Sequence, residues 1–209
     1  MAIIQLENIT KKFEGKHIFN GFNLSVEKGE FLGITGKSGA GKSTLLNIIG
    51  LLENCEGDVI LKGKTYNDIH SKSARKVLEK EIGYLFQNFA LIDDFTVYEN
   101  LNIVFNKKSK KERRDVMDQE LKKLGLEHVL DKPIYQLSGG EQQRVALVRL
   151  ILSESEIILA DEPTGSLDRE NSDLILNQLK TLNAEGKTIV MVSHDKNAFS
   201  YCSRIVNLE

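Results

Sequence analysis

Cysteine, proline and long apolar runs are scarce in this sequence, and each scarcity removes a class of protein. Its 209 residues hold two cysteines and two prolines. Cys55 and Cys202 lack the spacing of a metal-ligand set, and so few thiols point to a reducing compartment rather than a disulfide framework. No Pro- or Ser-rich stretch marks a linker, and no internal repeat divides the chain. A helix needs about 20 apolar residues to cross a bilayer. The best run, residues 45–52, is interrupted by Asn47 and Gly50. The opening Met1-Ala2-Ile3-Ile4-Gln5 has neither the basic flank nor the apolar core of a secretory signal. Charge of one sign is missing too. With 28 basic and 30 acidic residues the net charge is −2, which exerts no global pull toward nucleic acid. What remains is an ordinary globular composition, 41% apolar and 28% charged. A chain of this length forms one large or two small domains and buries roughly 70% of its unfolded surface without staples.

Hydrophobic spacing organises the chain. Phe22, Leu24 and Val26 alternate with polar residues, and Phe31 to Thr35 is a short apolar run suited to a buried strand. From Ser43 the spacing predicts a helix, with Leu45, Ile48, Ile49 and Leu52 on one face. Val59–Leu61 and Ile82–Phe86 read as strands separated by a weak helical stripe at Ala74, Val77 and Leu78. From Thr96 to Leu124 the pattern is helical. Thr96 and Glu99 form a capping box, Val97, Leu101, Val104 and Phe105 share a face, and Gly125 ends the block. The strand–helix rhythm then resumes: strand 157–160, helix 168–182, strand 188–193, a short helix and a last strand near Ile205. Alternation of this kind predicts a mainly parallel sheet with helices on both faces.

Four segments carry chemistry. Gly36-Lys37-Ser38-Gly39-Ala40-Gly41-Lys42-Ser43 fits G-x-x-x-x-G-K-[ST] between an apolar strand and an amphipathic helix, the context of a phosphate-binding P-loop. Its backbone N–H groups, up to Thr44, would cradle phosphates; Lys42 would reach the β- and γ-phosphates and Ser43 would ligate Mg²⁺. Asp161 and Glu162 end an apolar strand, where ligands of parallel sheets bind. Asp161 would position Mg²⁺ and Glu162 would act as general base on water. Leu137-Ser138-Gly139-Gly140-Glu141-Gln142-Gln143-Arg144 reads as a capped helix start whose two glycines leave N–H groups bare for an anion. His194, after a strand and before Asp195, is set apart from His17, His70 and His128, which read as structural. The basic run Lys107-Lys108-Ser109-Lys110-Lys111-Glu112-Arg113-Arg114 reads first as a solvated helix face and second as a contact for anionic lipid.

The octapeptide at Leu137 resembles the signature motif of ATP-binding cassette (ABC) ATPases, and the order of the other motifs agrees with it from Phe13 to His194. The resemblance implies a P-loop NTPase three-layer α/β core with a mainly parallel sheet and an N-terminal antiparallel β part. It implies a single domain, 1–209, with its core in 1–87 and 145–209 and a helical insertion over 88–144. Phe13 would stack on adenine, although its other reading is plain core. Gln87, after a strand and before the helical block, resembles the Q-loop residue that touches Mg²⁺ or its water. Gly165-Ser166-Leu167-Asp168 resembles the D-loop, with Asp168 equally readable as a helix cap. His194 resembles the switch histidine at the γ-phosphate. Ser138, Gly139, Gly140 and Glu141 would cap the ATP of an opposite subunit.

By the same resemblance the ligands are ATP and Mg²⁺, and the partners are a second ATPase subunit and a transmembrane permease on the cytoplasmic face of the membrane, with no nucleic acid. Gln87-Asn88-Phe89-Ala90-Leu91 and Pro163-Thr164-Gly165-Ser166-Leu167-Asp168 look like the subgroup of macrolide export, lipoprotein release, bacteriocin export and cell division. That leaves export and regulation of a membrane partner both open. The short stretch after His194 leads to the expectation of no C-terminal regulatory domain. A soluble repair or chromosome ATPase would carry long heptads between Gln87 and Leu137, where about fifty residues lie without them.

Overall fold

The computed structural model describes residues 1–105, 109–165 and 167–208. Two long strands, β1 (Ala2–Phe13) and β2 (Lys16–Glu27), form an antiparallel hairpin, followed by β3 (Phe31–Gly36), α1 (Lys42–Ile49), β4 (Glu56–Leu61) and β5 (Lys64–Thr65). Next come α2 (Lys72–Lys80), β6 (Ile82–Leu85), α3 (Val97–Asn102), α4 (Lys110–Lys123), a single 3₁₀ turn at Ile134–Gln136 and α5 (Gly139–Leu152). The chain closes with β7 (Ile157–Asp161), α6 (Arg169–Ala184), β8 (Thr188–Val192), α7 (Lys196–Phe199) and β9 (Arg204–Leu208).

The strands divide into two sheets. An antiparallel sheet runs β2-β1-β4-β5, and a parallel sheet runs β6-β7-β8-β3-β9. The expected N-terminal antiparallel part and parallel α/β core are therefore both present. The parallel strands are apolar throughout because both faces are covered. Leu32, Ile34, Ile157, Leu159, Val190 and Val192 face α1 and the antiparallel sheet in one apolar cluster. Their neighbours Phe31, Ile158, Ala160, Ile189 and Met191 face α5, α6 and the helical block in the other. The odd–even split follows from the two-residue period of a strand.

Three details differ from the sequence expectation. α1 stops at Ile49, so Leu52 leaves the apolar face and is 39% exposed, while Leu46 and Leu51 are buried. Gly50 and the left-handed Leu51 (φ 55°) end the helix before the pattern does. α3 stops at Asn102; Phe105 N–H bonds to Asn102 C=O in a turn, leaving Ile103 exposed and Val104 half-buried. α4 starts on a capping box of Ser109 and Glu112 that reading the basic run as charge alone had hidden. Thr96 and Glu99 form the expected box, at 2.8 and 3.2 Å. No described helix is long and apolar enough to cross a membrane.

Leu159, fully buried at the centre of β7, gives a direct test of this core. Leu159→Ala removes packing from the sheet face beneath α1, and chemical denaturation is expected to show a loss of about 2–5 kcal/mol.

Candidate functional site

The P-loop joins β3 to α1 at the carboxyl edge of the parallel sheet. Its tightest point is Gly41, the cap of α1, at φ 89°. A Cβ there would stand 2.3 Å from Ile18 Cγ2 and 3.0 Å from Phe19 Cζ, so the hairpin of the antiparallel sheet presses directly on the loop. Only glycine fits both the dihedral and the space. Lys42 Nζ donates to the Gly36 and Lys37 carbonyls at 2.9 and 3.1 Å, which folds the ammonium along the inside of the loop. A cleft of about 440 Å³ opens beside it, lined by Ser38, Lys42, Ser43, Gln87, Glu162 and His194 among others. The P-loop, Gln87, Glu162 and His194 thus converge on one cavity from β3, β6, β7 and β8.

Asp161 ends β7 and is half-buried. Burial raises its carboxyl above the ordinary range; the Ser43 hydroxyl bonded to it opposes the shift, Glu162 adds to it, and Lys42 opposes it. Its Oδ1 is buried without a hydrogen-bond partner. An orphaned carboxylate oxygen beside a hydroxyl is the donor set a magnesium ion takes, with water filling the other positions. Among the described residues no group of three His, Cys, Asp or Glu side chains could hold a metal alone.

Glu162 follows in a left-handed conformation, φ 46°, rare for a residue with a side chain. Its N–H bonds to the Val192 carbonyl at 3.0 Å, prolonging the β7–β8 ladder by one residue. Its Oε2 lies 2.8 Å from His194 Nδ1; the Glu162 side chain is 14% exposed and that of His194 73%.

Gln87 leaves β6 beside stacked Tyr84 and Phe86, whose ring centroids are 3.8 Å apart. Tyr84 is anchored to the P-loop helix, its hydroxyl donating to Asn47 Oδ1 at 2.9 Å. Burial, with the Asp161 charge, pushes that phenol up. Just beyond Gln87, Phe89 and Ala90 are both left-handed, φ 64° and 47°. Their carbonyls accept from Arg149 Nη2 and Nη1 at 2.9 and 2.6 Å.

Other sequence-predicted residues lie elsewhere. Ser138, Gly139, Gly140 and Glu141 open α5 and do not line the Lys42 cleft. Ser138 caps the helix, its N–H and hydroxyl donating to Glu141 Oε2 at 2.8 and 2.7 Å, which holds the Glu141 carboxyl below its ordinary value. Phe13 is not core: it is 45% exposed, with Lys11 Nζ 4.9 Å from the ring centre. Asp168 caps α6, accepting from Asn171 N–H at 2.8 Å. Ser166, like Lys107 and Lys108 of the basic run, lies outside the described residues. Of that run, Arg114 pairs with Asp131 at 3.0 and 2.7 Å and lies over the Tyr98 ring, and Arg113 donates to Asn102 Oδ1 at 2.9 Å, so part of the run is engaged within the chain. Sequence reasoning assigned no role to Gln143, Arg149, Asn47 or Asn171. The partners of Gln143, Arg149 and Asn47 lie 20 or more positions away, where no local pattern announces a contact, while Asn171 joins distant Arg144 to Asp168 of its own helix cap.

The ABC transporter family matches residues 19–165. Over 210 residues the chain is 40% identical to the lipoprotein-releasing system ATP-binding protein LolD of Aquifex aeolicus (strain VF5), covering 99% of this chain and 94% of that protein. It is 38% identical over 216 residues to the macrolide export ATP-binding/permease protein MacB of Mannheimia succiniciproducens, where the match takes in 100% of this chain but 34% of the relative. The chain thus spans about a third of that protein's length. Among solved structures, the dimeric post-hydrolysis ATP-binding cassette MJ0796 bound to ADP and Pi superposes with a TM-score of 0.91 at 38% identity, over 99% of this chain and 94% of that one.

The raised carboxyl of Asp161 gives a signed prediction. A native pKa above the unfolded one means that stability falls as pH rises through that interval and the charge forms. Asp161→Asn carries no such charge. In magnesium- and nucleotide-free buffer near neutral pH it is expected to melt above the wild type, while magnesium-dependent ATP hydrolysis is lost. Thermal denaturation and phosphate release measure the two effects.

Proposed function

The chain belongs to the ABC transporter family and is an ATPase, and from that premise we propose that it works as a dimer driving a membrane permease. Two copies close on two ATP molecules, and hydrolysis reopens them. The observation that carries this reading is the separation of the two phosphate-binding elements. Lys42, Ser43, Glu162 and His194 line one cleft, whereas the helix start at Ser138 and Gly140 lies outside it. A helix N-terminus with bare N–H groups is built to receive an anion. It does so here on the ATP held by the other subunit.

Each group then has a task. The backbone N–H groups from Lys37 to Thr44 take the phosphate oxygens, and Lys42 leaves its carbonyl partners to reach the β- and γ-phosphates. Ser43 and Asp161, with Gln87 beside them, would hold a magnesium ion, which would supply charge stabilisation to the phosphates. Glu162 takes a proton from the attacking water onto its carboxylate, and His194, already 2.8 Å away, fixes that carboxylate and reaches toward the γ-phosphate. Phe13 supplies a ring face for the base. Asp168 stands at the seam between subunits. The likeness to lipoprotein-release and macrolide-export proteins supports a peptide, lipid-linked or antimicrobial cargo handled by the permease, with this chain on the cytoplasmic face.

Two substitutions separate the steps. Glu162→Gln is expected to bind ATP and dimerise in its presence while turnover falls by about 10²- to 10⁴-fold. Ser138→Arg is expected to bind ATP as a monomer and to hydrolyse none. Light scattering with and without ATP, beside phosphate release, reads both. A Ser138→Arg protein that dimerised and turned over normally would rule out the shared site.

A further inference from the structure

We infer that Gln143 is a positioning residue through which α5 holds the Glu162 turn of its own chain, so that the helix completing the partner's site also sets the geometry of this one. The inference rests on the dimeric reading above. Gln143 is 1% exposed, and its Nε2 donates to the carbonyl of Pro163, the residue after Glu162, at 2.8 Å. Its Oε1 is buried with no partner. A core helix gains nothing from a half-satisfied amide where Met or Leu would pack without an orphaned atom. The amide is kept for the one bond it makes. That bond falls on a turn with left-handed Glu162 at its start, where Gly165 N–H bonds to the Glu162 carbonyl at 3.1 Å and Leu167 N–H to the Thr164 carbonyl at 3.2 Å, and no other described side chain bonds to the Pro163 carbonyl.

A second link reaches the far end of the same turn. Arg144 Nη1 donates to Asn171 Oδ1, and Asn171 Nδ2 donates to Asp168 Oδ1 and Oδ2 at 3.0 and 2.9 Å. Asn171 also lies against Gly140, where a Cβ would meet its Nδ2 at 3.3 Å. The first two turns of α5 therefore grip the segment from Pro163 to Asp168 at both ends. The lever is short and stiff: Gln143 sits about 6 Å along the axis from Gly139. A displacement of the helix start on taking up the partner's phosphate is carried to Pro163 with no flexible joint between.

Gln143→Met keeps the shape and removes the donor. The variant is expected to keep the wild-type melting temperature within a few degrees and to bind a fluorescent ATP analogue with wild-type affinity. Its kcat falls about 10- to 100-fold with KM little changed. Asn171→Ala, on the half-buried side of the network, should show the same split to a smaller degree and serves if Gln143→Met does not fold. Wild-type kcat in either folded variant overturns the inference. So does a fall in kcat accompanied by an equal loss of nucleotide affinity, which would mark Gln143 as a packing residue. The dimeric reading fails separately: wild-type protein that stays monomeric by light scattering in ATP while it turns ATP over removes the partner site itself.

Discussion

The parallel pairing of β7, β8 and β3 is the constraint on which the site depends. Leu32 pairs with Val190, Ile34 with Val192, and Asp161 with Val192 on the other side. One register therefore delivers the P-loop, the two carboxylates and His194 to the same edge of the sheet. The backbone continues the pairing past the strands: Glu162 N–H bonds to Val192 C=O, and Ser193 N–H bonds to Ile34 C=O at 3.3 Å. A slip of one residue would exchange the faces of a whole strand. It would press polar Asp161 or Thr188 into an apolar cluster and lift Leu159 or Val190 out of its own. Because apolar clusters cover both faces, either slip exposes the mispairing to a packing penalty. The register is fixed by burial on two sides, and the catalytic edge inherits its precision from the core.

Three of the chain's left-handed residues stand in the loops that follow β6 and β7 at that rigid edge. Glu162, Phe89 and Ala90 are all left-handed, each at a cost of about 1–3 kcal/mol that the surrounding structure must offset. Two side chains of α5 do so by donating to the carbonyls of the strained segments: Gln143 to Pro163, Arg149 to Phe89 and Ala90. Burial lowers the Arg149 pKa, yet a guanidinium remains charged in protein surroundings, so it gives the two carbonyls charge-assisted bonds. Gly83 lets β6 approach this helix closely, since a Cβ there would stand 2.3 Å from Leu150. The helix that begins with the signature residues thus bonds to the loops that follow β6 and β7, and no described bond joins it to the P-loop. Tyr84 supplies that missing link by bonding to Asn47 of α1.

Most of the fold was legible because its signals are local. The apolar runs of β3, β7 and β8 and the glycines of the P-loop announce themselves within ten residues. So do the capping boxes at Thr96 and Ser138. Boundaries were less so. The pattern through Leu52 continues the helical period beyond Ile49, but a left-handed Leu51 turns the chain first, and the stripe to Phe105 outlasts α3 in the same way. Periodicity records which residues can be buried, not where the chain turns. The site was legible as a set of motifs and not as a geometry. That Lys42 and Glu162 share a cleft follows from strand order, and strand order is a long-range property. Gln143, Arg149 and Asn171 carried no local signal, since a glutamine in a helix looks the same whether it faces water or a carbonyl 20 residues away. Phe13 was left between base platform and core, and its exposure removes the second reading.

The start of α5 also explains why a helix end suited to anions need not trap any anion. Glu141 lies in its first turn, accepts both the hydroxyl and the N–H of Ser138, and is held charged below the usual carboxylate range. That negative charge already offsets the positive end of the helix dipole. A free phosphate would gain the N–H groups but meet the carboxylate. A phosphate that arrives held by a lysine and a cation has its own charge largely compensated, so repulsion by Glu141 costs it less while the N–H groups still bond to it. On the dimeric reading, the carboxylate would favour phosphate presented by a partner subunit over phosphate in solution, and closure would then follow nucleotide rather than any anion.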